Sequence, residues 1–279
     1  MFRVTMTASA LALATAIATP AMAQDEGPYF EGIYVQAAAG LDTQASNSRK
    51  LTFDTNLDGT YGDVVRNTAG VAAFSPGYCR GAANGNAPLA GCVSDEDDLG
   101  YAVRVGYDFR DGPLVGGIVL EGSRSNAVDY TSGFSSTPAS YTTSRELDYA
   151  VALRSRAGIS PGDGRGLFYV TGGVAYARIN HDFATTNLAN SFTVVNDDDM
   201  RLGVQFGGGA ELMVTRNIGI GLEYLYSRYD DDKSYVAVGK GTAGATNPFL
   251  LVNASGTNLR TQFTDFDLQS FRGTVSFHF

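Results

Sequence analysis

Residues Asp98–Phe109 read DLGYAVRVGYDF. In an extended chain Tyr101, Val103, Val105, Tyr107 and Phe109 fall on one side, and Ala102, Arg104, Gly106 and Asp108 on the other. This is a period of two, a strand's period, where an amphipathic helix needs one near 3.6. One side is apolar and aromatic and the other carries an arginine and an aspartate. A segment of about 10 residues with a lipid-compatible face and a polar face is the signature of a strand in a transmembrane barrel.

The same pattern recurs along the chain. In Arg145–Ile159 the side chains of Leu147, Tyr149, Val151, Leu153, Ala157 and Ile159 are expected outward, with Asp148, Arg154 and Arg156 inward. Phe266–Phe279 alternates Phe271, Val275, Phe277 and Phe279 with Arg272, Thr274, Ser276 and His278. Weaker segments fit at Glu31–Leu41, Pro113–Arg124, Gly166–His181, Met200–Val214 and Asn217–Tyr229, which makes eight strands. The joins after Phe109, Ile159 and Val214 are short, whereas 42–97, 125–144, 182–199 and 230–265 are long. Strict alternation of short and long joins is the asymmetry of outer-membrane barrels, with short periplasmic turns and long external loops. The expected fold is therefore all-β: one closed antiparallel barrel with both chain termini on the periplasmic side. Two further apolar runs, SYVAVG from Ser234 and FLLVNA from Phe249, are too short to cross the hydrocarbon layer. They are expected to form a hairpin above the membrane, with ten strands as the competing count. Leu51–Val65 is a second candidate for such a hairpin.

The chain opens with one positive charge, Arg3, then ALALATAIA, then AMA at Ala21–Ala23. That layout is a secretory signal peptide, so residues 1–23 are expected to be removed and 24–279 to form the barrel. Cleavage takes away Arg3 and no acid. The formal net charge of −9 then becomes −10. An acidic chain lacks the basic footprint of a nucleic-acid partner. No apolar run is long enough for a transmembrane helix. Thirty-four glycines, 15 tyrosines and 16 phenylalanines fit an exported all-β protein. Cys79 and Cys92, close in sequence in an oxidising compartment, read as a disulfide within the first external loop. Closing such a loop contributes about 3 kcal/mol in the chain-entropy model.

Three stretches resemble the small outer-membrane β-barrel family, which includes immunogenic outer-membrane proteins of alphaproteobacteria, opacity proteins and the membrane domain of OmpA-like proteins. They are GYAVRVGYDF from Gly100, GVQFGGGAELMVTRNIGIGLEYLYSRYDD over Gly203–Asp231, and the terminal FRGTVSFHF. The resemblance spans the chain after residue 23 and reports architecture more than activity. It implies residence in the cell outer membrane among lipid and lipopolysaccharide. It also implies that Phe277 and Phe279 serve as a signal to the barrel assembly machinery.

The inward faces carry Arg104, Glu121, Arg154, Arg156, Glu211, Glu223 and Arg272. An eight-stranded barrel is just wide enough for side chains to fill it, and unpaired buried charge is prohibitive. These residues are therefore expected to pair and plug the lumen, with a narrow porin or small-solute channel as the alternative. His181, Asp182 and Ser191 lie near one another in sequence, but no nucleophile motif frames the serine, and no enzyme is expected. His278 is placed at the periplasmic rim. Tyr101, Phe109, Tyr176, Tyr224, Tyr226 and Phe279 suit interfacial girdles. The loop tyrosines Tyr61, Tyr78, Tyr130 and Tyr141 suit loop packing, with carbohydrate stacking as the sharper alternative. Asp197, Asp198 and Asp199 open one strand and Asp230, Asp231 and Asp232 close the next, with Asp265, Asp267 and Asp95–Asp98 at the same level. Such an acidic rim reads as a solvated collar, or else as a calcium or magnesium site, since hard cations select clustered oxygens. No other cofactor is expected. The resulting reading is a non-enzymatic surface barrel supporting envelope integrity, whose loops meet host or cell-surface ligands.

Overall fold

The computed structural model describes residues 28–44, 50–197 and 199–279; the expected signal peptide lies outside the described residues. Eight long strands form the barrel: β1 (Gly32–Gln44), β2 (Asp98–Asp111), β3 (Leu114–Ser125), β4 (Ala139–Ile159), β5 (Gly166–Thr185), β6 (Met200–Met213), β7 (Ile218–Asp230) and β8 (Asp265–His278). Each pairs antiparallel with the next, and β8 returns to β1 with Tyr34 opposite His278 and Gln44 opposite Leu268. Closure leaves the barrel without an edge, as a hydrocarbon environment requires. The two short apolar runs add no ninth or tenth barrel strand.

The period of two fixes what faces lipid. Val103, Val105, Tyr107 and Phe109 are exposed, while Ala102, Arg104 and Asp108 are buried in the lumen. In β4 the expected assignment fails at its upper end. Arg178 of β5 pairs with Tyr149, but Ile179 pairs with Leu147, so Asp148 is an extra residue in a bulge. A bulge moves every residue beyond it to the opposite face. Leu147 is therefore buried, not outward, and packs in a cluster with Ile179, Phe266 and Leu268. Asp148 is not inward; it accepts a hydrogen bond from Arg124 at 2.5 Å.

Strand β4 is 21 residues long. At ~3.3 Å per residue it extends about 70 Å, far more than a bilayer needs, so its upper half stands above the membrane. There it pairs with a further strand, Val128–Ser135, so most of the expected second loop is a hairpin. The other long connections fold over this wall. Ser191–Val195, Tyr235–Gly239, Thr257–Thr261 and Leu51–Asp54 form a four-stranded sheet in that order. SYVAVG thus supplies a strand as expected, but its partners are Ser191–Val195 and Thr257–Thr261, not FLLVNA. FLLVNA begins in a 3-10 turn, Pro248–Leu250, that drops Phe249 into the core of this cap. In the sequence it is an apolar run without a strand's alternation. The Leu51–Val65 segment likewise does not stand alone as a hairpin. Its first four residues are the edge strand of the cap sheet, with one bridge from Phe53 to Asp63.

Gly40 of β1 faces inward opposite Arg272. A Cβ there would collide with the backbone of Phe271 and Arg272. Gly40→Ala is expected to destabilise the barrel by about 1–3 kcal/mol, the usual range for overpacking. An unfolding midpoint in urea equal to that of the wild type would show that β1 and β8 can separate there at no cost.

Candidate functional site

The lumen holds all seven predicted charged residues, and they form two connected lattices. In the upper one, register places Arg104 opposite Glu121 and Glu223 opposite Arg272. Arg104 donates to both Glu121 and Glu223, and to Gln36 Oε1 at 2.7 Å. Arg154 donates to Glu121 at 2.7 Å and to Gln205 Oε1 at 3.0 Å, and Arg272 donates to Glu121 at 3.1 Å. The Tyr169 hydroxyl donates to Glu223 at 3.0 Å. In the lower lattice Arg156 bridges Asp108 and Glu211, and stacks over the Tyr34 ring with 4.5 Å to its centroid.

Two members of this lower lattice were not singled out in the sequence. Asp108 was visible as an inward residue without its role. His278, expected at the periplasmic rim, is the last residue of β8, but its side chain turns inward and is buried. Its ring stacks on Tyr34 at 5.1 Å, and Nε2 lies 3.2 Å from Glu211. All these side chains are nearly excluded from solvent. Such charges are tolerated in a low-dielectric interior only because each is paired and hydrogen-bonded.

A third charged cluster joins the barrel to the cap. Asp231, just beyond β7, lies 2.8 Å from His181 Nε2, 3.3 Å from Arg201 and 3.4 Å from Arg145. Arg145 also holds Asp129 at 2.5 Å. This arrangement bears on two of the sequence hypotheses. Both ring nitrogens of His181 are occupied, one by Asp231 and one by the Asp197 carbonyl at 3.2 Å, so neither faces a serine hydroxyl. Ser191 sits away in the cap sheet opposite Gly239. The acidic rim is likewise dispersed among arginines. Asp231 is buried, Asp199 lies 3.7 Å from Arg201, and Asp267 lies 2.7 Å from Arg228. Asp230 and Asp265 face each other in register, and Asp230 and Asp232 are exposed. Asp198 lies outside the described residues. Among the described residues, no group of three or more His, Cys, Asp or Glu could hold a metal ion.

The cap has an aromatic core of its own. Phe74 packs against Phe53 at 4.5 Å, Tyr141 at 5.1 Å and Phe249 at 5.9 Å, with Leu51, Val236, Val238 and Leu259 around them. Tyr78 and Tyr141 are packed here, and burial pushes both phenols up. Tyr61 lies under the Arg260 guanidinium at 3.9 Å, and burial raises it to about 12. Cys79 and Cys92 are joined, closing the first loop across 13 residues.

Tyr101, Phe109, Tyr176, Tyr224 and Phe279 project outward from the barrel, and Tyr226 is half-buried beside Phe206. Rings at both ends of an apolar band, on a closed sheet with a charged interior, make a surface for lipid. The family described as outer membrane protein beta-barrel domain matches residues 9–279. The chain belongs to the outer membrane β-barrel family. As an outer membrane β-barrel it resides in that membrane, with the band of outward side chains in lipid. Two solved structures are similar to this outer membrane β-barrel. One is the outer membrane protein OprG from Pseudomonas aeruginosa, at 12% identity and a TM-score of 0.49, covering 90% of this chain and 99% of that one. The other is Neisserial surface protein A (NspA), at 12% identity and a TM-score of 0.34, covering 89% of this chain and 98% of that one. No curated protein matches the chain.

Proposed function

We propose that this outer membrane β-barrel is a plugged, non-enzymatic surface protein. It anchors in the bilayer, supports the envelope, and presents a folded cap to lipopolysaccharide and to host or cell surfaces. Residues 1–23 act as its export signal in this reading, and Phe277 and Phe279 as its assembly signal. The observation that carries the proposal is the lumen, where Arg104, Glu121, Arg154, Glu223 and Arg272 meet from five different strands and are buried. A conducting pore of this strand number would have to break these pairs, and breaking a buried pair costs about 3–5 kcal/mol. The cap adds a second layer over the external mouth. The test is planar-bilayer conductance of the refolded protein, with a quiet baseline expected. Steady openings on the nanosiemens scale would establish the narrow channel instead.

A further inference from the structure

Asn84 is the one asparagine in the chain that a glycine follows. It lies in the first external loop, where Ala82–Ala83 pairs with Cys92–Val93 and the turn 84–91 closes this small hairpin. The Cys79–Cys92 disulfide ties down its base. Asn84 is exposed, and its backbone is anchored, N donating to the Gly91 carbonyl at 3.1 Å. Its side-chain amide is hardly held. Nδ2 donates only to the Ala90 carbonyl, at 3.4 Å, which is long for such a bond. Gly85 N donates to no acceptor among the described residues. The turn also calls for a small residue at 85, because a Cβ there would come within 2.9 Å of Ala90 Cβ.

A backbone nitrogen attacks the preceding side-chain amide when the nitrogen is unbonded, the amide can turn, and no side chain crowds the approach. Asn84–Gly85 meets all three conditions, and glycine leaves the backbone freest to reach the attacking geometry. Asn190–Ser191 is a useful contrast, since a small residue also follows that asparagine. Asn190 is 8% exposed, its Nδ2 donates to the Gly239 carbonyl at 3.0 Å, and its Oδ1 accepts from Asn247 Nδ2 at 2.9 Å. That amide cannot turn while the cap is folded.

We propose that Asn84 is a site of non-enzymatic deamidation, which gives the external surface one further negative charge. Gly85 N loses its proton to solvent base and bonds to Asn84 Cγ. The Cγ–Nδ2 bond breaks, and ammonia leaves with a proton taken from water. A second water opens the five-membered succinimide at either carbonyl, its oxygen going to the carbon attacked and a proton to the nitrogen released. The products are aspartate and isoaspartate at position 84. Either one replaces the amide that faced the Ala90 carbonyl with a carboxylate, so a donor is lost and two acceptors oppose each other. The turn 84–91 must then open, while the disulfide and the Ala83–Cys92 pair confine the change to this loop. The inference depends on neither the plugged lumen nor the surface-recognition reading.

The test uses the full refolded chain, held in warm neutral buffer made with water enriched in the heavy oxygen isotope. Samples taken over time are digested in acid, which halts the reaction, and mapped by mass spectrometry. One heavy oxygen is expected at position 84, with isoaspartate exceeding aspartate. Asn86 and Asn190 should stay unchanged in the folded protein, and Asn190 should convert only when urea unfolds it. Gly85→Ala should slow the conversion about tenfold, by crowding the attacking nitrogen. Unchanged gel mobility before heating verifies that this variant remains folded. Asn84→Gln should stop the reaction at this position, since its longer side chain cannot close a five-membered ring. No label at position 84 while a free peptide of residues 81–91 converts would overturn the proposal. Labelled aspartate without isoaspartate would show direct hydrolysis and would overturn the route. Conversion of Asn190 as fast as Asn84 in the folded chain would remove the structural basis for the site.

Discussion

Glu121→Gln should lower the stability of the folded barrel by about 3–5 kcal/mol, the usual cost of removing one partner from a buried ion pair. Glu121 is 1% exposed and takes hydrogen bonds from Arg104, Arg154 and Arg272. Glutamine has nearly the same shape, so little packing is lost. What is lost is the one negative charge shared by three guanidiniums. Each would remain in a site that water reaches poorly: Arg104 keeps Glu223 and Arg272 keeps Asp42 at 3.8 Å, but neither carboxylate bonds Arg154 closely. Arg154 already stands 3.9 Å from Glu223. The measurement is the urea midpoint of the heat-modifiable gel form. A double-mutant cycle with Arg104→Gln sharpens the result, since removing both charges should cost less than the sum of the single losses. A loss for Glu121→Gln below about 1 kcal/mol, the value for exposed pairs, would mean that the lumen is hydrated, and would count against the plug as well.

The sequence was most legible where one rule acts over a long distance. Alternation and the strict succession of short and long joins were enough for eight strands, for closure, and for the inward charges, because lipid outside and a narrow lumen inside punish any other placement. The misreadings come from places where a single residue changes the rule. Leu147 and Asp148 exchanged faces because of one bulged position, and nothing in RELDYAVAL marks it. His278 looked like a rim residue because it is next to last, yet Tyr34 and Phe30 close over it. The cap was the least legible part. Its strands have four or five residues each, and one pairing crosses more than two hundred positions, Arg260 with Thr52. Partners so distant leave no local pattern. Asp231 shows the same limit. Among three successive aspartates, one is buried as the hub of Arg145, Arg201 and His181 and the other two are exposed, a difference set by the cap above it.

That hub gives the second large effect. Arg145→Met should loosen the cap by about 3–5 kcal/mol while leaving the barrel assembled, because it strands the buried Asp129 carboxylate and takes one cation from Asp231. Arg145 reaches Asp129 with two nitrogens at 3.0 and 2.5 Å, Asp231 at 3.4 Å, and lies over the Phe266 ring at 5.6 Å. All of these lie above the β4 bulge, on the part of the wall that stands outside the membrane. Methionine keeps the apolar stem but brings no charge, so Asp129 must rehydrate and Asp231 is left with Arg201 and His181, and lifting the cap sheet lets water reach both. Limited proteolysis of the refolded protein should therefore cut within 50–97 and 231–264 much faster than in the wild type. The unheated barrel band should survive, since the lumen lattices share no residue with this cluster. Arg145→Lys should fall between the two, because a lysine keeps the charge and loses the fork. If the barrel's own urea midpoint drops as far as the cap's protease resistance, cap and barrel fold as one cooperative unit. The Asp231 cluster would then be part of the barrel's stability and not a joint between two layers.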